Sequence, residues 1–131
     1  MAGDSSSTGN PSGVRGISPE GWHIPSNQEI QDLIGHVKSI ESEYPAASLK
    51  MDWAWPGYTT NITGFSAQPS GFVKSVTGKY GGLFNKTIFW TCTELDEDNA
   101  YIMRLSKYTE LIENFAQFKG YGFSVRCVKD E

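Results

Sequence analysis

The stretch that most narrows what this chain can fold into is SPEGWHIPSNQE, residues 18–29, because it fixes a helix start to within a residue or two. Ser26 and Glu29 stand at capping-box spacing, where each side chain can satisfy a backbone N–H group of the helix's open first turn. Beyond them Ile30, Leu33, Ile34, Val37 and Ile40 recur on one helical face, which predicts a helix over 27–41 packed by that face on a core. Just upstream, Trp22 is expected to bury its ring as an anchor, and His23 to hydrogen-bond backbone near the helix start.

Pro45 is expected to end the helical region. The following run, LKMDWAWPGYTTNITGF, reads as a long ordered loop, since Trp53, Trp55 and Tyr58 would otherwise stay exposed at a cost. From Gly64 onward the chain reads as short strands between glycine turns, with buried strands expected at 87–93 and 123–128, where β-branched and aromatic residues concentrate. Residues 106–120 fit either a helical face, through Leu111, Ile112 and Phe115, or a loose alternation. Periodicity does not decide between them.

Bulk properties exclude several classes. The 131 residues suffice for one core but not for two. Residues 1–16 are nearly free of large apolar side chains and read as a flexible tail or linker, with the folded domain at 17–131. The net charge is −4 and the 11 Lys and Arg residues are scattered, so nucleic acid is not an expected partner. No run approaches the roughly 20 apolar residues of a membrane-spanning helix.

Four segments in order, GVRGISPEGWHIPSNQE, TGFSAQPSGF, FWTCTELDEDNAY and GYGFSVRCVKD, together resemble the Fibrobacter succinogenes major paralogous domain family over residues 13–130. The resemblance implies an α+β, C-type-lectin-like fold, with one or two helices packed on a small twisted antiparallel sheet with long loops. It tips residues 106–120 toward hairpin and loop. It further implies a cell-envelope or secreted setting and a binding or adhesive role toward a protein or glycan, without catalysis or cofactor. Two departures stand out. Where the family usually has a cysteine before the motif's proline, this chain has Ser18, so the family's implied pairing with the position of Cys127 cannot form; and Cys92 replaces a usual serine. The WMAENL-like opening segment is not found, so the family's first strand is expected to be missing or supplied by another chain.

Candidate sites are weighed on the same residues. His23 and His36 have no ligand cluster at zinc spacing. Cys92 and Cys127 fit either one disulfide or two small buried thiols, and thiol chemistry at Cys92 is the less favoured alternative. The acidic run 94–99 has oxygen donors suited to calcium but reads more readily as a solvated turn. By the resemblance, Tyr101, Met103, Arg104, Tyr108, Phe115 and Phe118 are display positions for a ligand; the other reading is that half of these simply complete the core. Trp53 and Trp55, with Tyr58, fit either stacking on sugar rings or pinning the loop. A subunit-assembly role for the apolar face is the remaining alternative, and the oligomeric state is open.

Overall fold

A computed structural model describes residues 6–131. The elements in chain order are β1 (Trp22–His23), α1 (Asn27–Ile40), α2 (Pro45–Leu49), β2 (Ser70–Val73), β3 (Tyr80–Leu83), β4 (Lys86–Glu94), β5 (Asn99–Ser106), β6 (Glu113–Phe118) and β7 (Val128–Lys129). The architecture is α+β. Five strands form a mixed sheet in the order β3-β2-β4-β5-β6, with β2 parallel to β4 and the other neighbours antiparallel. The first and last strands pair in a separate two-stranded ribbon.

The helix start is where the capping box puts it. Glu29 N donates to Ser26 Oγ at 3.1 Å, and Ser26 N donates to Glu29 Oε1 at 3.3 Å. Ile30 and Val37 are buried and Leu33 and Ile34 half-buried, whereas Ile40 is 51% exposed because the last turn has left the core. Pro45 corrects an expectation: it opens α2 instead of ending a helix, since a first-turn residue needs no N–H partner. All of α2 is buried.

The central pair β4 and β5 is covered on both faces. Phe89, Met103 and Leu105 meet Ile30, Val37, Leu49 and Trp55 on the helical side. Ile88, Trp90, Ala100 and Ile102 are capped on the other side by Tyr121, Phe123 and Val125, whose rings stack at 5.2 Å between Tyr121 and Phe123 and lie 4.7 Å from Trp90 to Phe123. That packing explains why the strand expected at 123–128 is only partly formed. The segment lays its rings on the sheet and touches β4 through a bridge at Ser124, with regular pairing only at Val128–Lys129.

Two further expectations are corrected. Trp22 is 39% exposed and anchors little, because β1 lies in the ribbon at the rim of the domain. Residues 1–5 of the stretch expected as a tail lie outside the described residues; in its remainder, Val14 is buried against Ile24 and Cys92, and Ser12 Oγ donates to the Ile24 carbonyl at 2.6 Å. Its small polar residues are held by hydrogen bonds instead of by apolar area, a route that composition does not reveal. The segment at 106–120 holds β6 as a hairpin partner of β5, the outcome the resemblance favoured. Among the described residues, no helix is long and apolar enough to cross a membrane.

Candidate functional site

The residues expected to display a ligand-binding surface do not converge. Arg104 and Phe115 share one face of the β5–β6 hairpin, with the guanidinium 4.8 Å from the ring centre and paired to Glu113. Tyr101 points to the other face of β5, as odd and even strand positions must, and its carbonyl accepts from Thr91 Oγ1 at 2.9 Å. Tyr108 and Phe118 are exposed at opposite ends of the hairpin. Met103 is a correction: it is 1% exposed, because β5 is a central strand with both faces covered. Trp55 is another, since its ring lies in the core, its Nε1 donates to the Ala67 carbonyl at 2.7 Å, and Lys50 Nζ sits 5.0 Å from the ring centre.

Trp53, two residues from Trp55, does the opposite. It is fully exposed, at 100%, and its backbone is left-handed at φ 70°. That region is an outlier for a bulky L-residue and costs of order 1–3 kcal/mol. Phe84 repeats the combination, with φ 66° and 65% exposure. Both line one shallow depression of about 350 Å³ together with Tyr80 and Leu83, themselves 57% and 49% exposed. On its other side Trp53 borders a second depression with Asp52, Tyr58 and Thr59, in which Asp52 accepts from Thr59 Oγ1 at 3.1 Å. Trp53 is thus a ridge between two hollows, and the loop does not bury it as expected. Tyr80, Leu83 and Phe84 escaped the sequence reading. Their available signal was a Leu-Phe pair at the tight link between β3 and β4, where turn residues would be usual.

The polar candidates are structural in their bonding. His23 is buried, and its partners are two carboxylates instead of the expected backbone: Glu29 Oε2 lies 2.8 Å from Nε2 and Asp130 Oδ1 lies 2.6 Å from Nδ1. Burial alone would lower the imidazole's proton affinity, but the hydrogen bonds and charges of Glu29 and Asp130 outweigh it and raise its pKa above 6.5. The folded state therefore holds the proton more tightly than the unfolded chain. Its contribution to stability is complete below 6.5 and is lost as pH rises through the folded value. Urea unfolding at pH 5.5 and pH 8.5 should give the lower midpoint at the higher pH, and a His23→Gln variant should lose most of that difference.

Cys92 and Cys127 are free thiols among the described residues. Cys92 is fully buried beside Val14 and Ile24, and burial pushes its thiol pKa up, the opposite of an activated nucleophile. Cys127 sits by Ser18, whose Oγ lies 2.8 Å from its Sγ. In the acidic run the exposed Asp96 closes its own turn, accepting from Asp98 N, the Asn99 side-chain amide and Asn99 N at 2.9 Å each, bonds that hold its carboxyl below the usual range.

Comparison with known proteins adds one positive finding. The family model of the Fibrobacter succinogenes major domain matches residues 7–129. No curated protein and no solved structure matches the chain.

Proposed function

Because the chain belongs to the Fibrobacter succinogenes major domain family, we propose that it is a ligand-binding or adhesion module of a bacterial envelope, secreted or phage protein. In this reading it has a C-type-lectin-like fold, supported by two helices, a five-stranded mixed sheet and the long connection from α2 to β2. It presents an aromatic face to a protein or glycan and carries out no catalytic step. The observation that carries the reading is Trp53, a large ring held wholly in solvent at the expense of backbone strain. Strain kept at an exposed aromatic makes sense where the ring has a task outside the fold. Phe84 beside it supports the same reading.

The test uses that strain. Trp53→Gly relieves the left-handed backbone and removes no buried area, so the variant should be as stable as the parent or more stable by up to about 1 kcal/mol. Binding to a glycan array, or to proteins captured from bacterial or host surface extract, should nevertheless fall at least tenfold. Undiminished binding in both Trp53→Gly and Phe84→Gly would remove the aromatic face as the ligand site.

A further inference from the structure

One apolar concavity of the domain shares no lining residue with the aromatic face. It is a cavity of about 520 Å³ between α1 and the run leading into β7. Its floor and walls are apolar: Ile30, Leu33, Phe65, Phe89 and Met103 all contribute. Phe89 and Met103 are otherwise core residues, 7% and 1% exposed, so the cavity reaches down to the sheet. Such a volume and lining suit a small amphipathic molecule.

The polar groups at its mouth decide the sign of that molecule's head. Glu29 and Asp32 are there, but both are committed. Glu29 accepts from His23 Nε2 at 2.8 Å and from Ser12 N at 2.7 Å. Asp32 accepts from Gln28 Nε2 at 2.9 Å and from the Asn10 side chain. The donors are not committed to the same degree. Arg126 lies with its guanidinium 4.2 Å from the centre of the Phe65 ring and spends Nη2 on the Phe65 carbonyl at 2.8 Å, and among the described residues no carboxylate pairs with it. The His36 ring, exposed on α1, has no hydrogen-bond partner among the described residues. The donors left without a side-chain partner at the mouth are therefore Arg126 and the His36 ring, and Arg126 sets one full positive charge there against the bonded carboxylates of Glu29 and Asp32.

We propose that this cavity is a binding site for a small apolar carboxylic acid, its chain seated over Phe89 and Met103 and its carboxylate held by Arg126 with His36 as second donor. A guanidinium is suited to that head, since it presents paired N–H groups to both carboxylate oxygens. Its stacking on Phe65 fixes it at the rim, so little ordering is needed on binding.

Cys127 lines the same cavity and is the natural reporter, because Cys92 is fully buried. The parent protein would be titrated with octanoate, octanol and octylamine, following melting temperature and the rate at which Cys127 reacts with an aromatic disulfide reagent. Octanoate should raise the melting temperature and slow Cys127 labelling, with the alcohol and the amine at least about tenfold weaker. Arg126→Met keeps an apolar stem over Phe65 but removes the charge, and should weaken octanoate by about tenfold or more while leaving octanol unchanged. His36→Leu, at an exposed helix position, should weaken octanoate by a smaller factor and serves as the second variant if Arg126→Met folds poorly. Equal affinity for acid, alcohol and amine, or Cys127 labelling indifferent to saturating octanoate, would overturn the proposal.

Discussion

Ser18→Cys is expected to close a disulfide with Cys127 and to produce the largest gain in stability available from one substitution in this chain. Ser18 Oγ and Cys127 Sγ already lie 2.8 Å apart, and Ser18 is buried at 3% exposure, so the new sulfur would be delivered to its partner with little rearrangement. The two positions are 109 residues apart in the chain. A cross-link over a loop of that length restricts the unfolded ensemble by about 4–5 kcal/mol in the chain-entropy account, with native-state strain subtracting from it. Oxidised variant should melt well above the parent, by more than ten degrees, and fall back to the parent's midpoint on reduction. Thiol titration under denaturing conditions should find only Cys92. Two reactive thiols beyond Cys92 after air oxidation would mean that the side chains, though close, cannot reach disulfide geometry.

Trp55→Ala should have the largest destabilising effect, about 3–5 kcal/mol, enough to leave a small domain marginally folded. The ring is buried between α2 and the sheet, it covers the Lys50 ammonium, and its N–H satisfies the Ala67 carbonyl. Removing it opens a cavity and at the same time strips the apolar and π contacts from a buried cation. Lys50 is 2% exposed and donates to the Ser106 carbonyl at 2.9 Å, with burial holding its pKa below the ordinary lysine value. Trp55→Phe retains part of the volume and a cation–π face and should recover more than half of the loss. Chemical denaturation of both variants measures this. A cost under about 1 kcal/mol for Trp55→Ala would mean that the loop closes over the gap. The contrast with Trp53→Gly is built into one tripeptide: neighbouring tryptophans, one whose loss should nearly unfold the domain and one whose loss should leave it intact.

That contrast also shows where the sequence was legible and where it was not. α1 could be read because its start and its buried face are local properties, Ser26 with Glu29 and then Ile30 to Val37 at helical spacing. β4 could be read because a run of β-branched and aromatic residues suits a strand buried on both faces. α2 could not, since five residues are too few to show a period and its proline looked like a terminator. The fate of Trp53 and Trp55 hung on a left-handed backbone at Trp53, which no residue type announced. Met103 was misjudged for a different reason: alternation tells which face of a strand a side chain takes, but not that the far face is also covered, here by α1 and α2. The cavity at Arg126 joins residues from α1, the loop before β2, both central strands and the C-terminal run, and only the closed fold brings them together.

The two-stranded ribbon has a consequence for how the domain bears a pull. Trp22 lies opposite Lys129, and Asp130 N donates to the Gly21 carbonyl at 2.8 Å, whereas the residues before the ribbon run on to the end of β4, where Ser7 N donates to the Cys92 carbonyl at 3.2 Å. Tension applied at the C-terminal end therefore loads the short β1–β7 ladder before it reaches the five-stranded sheet.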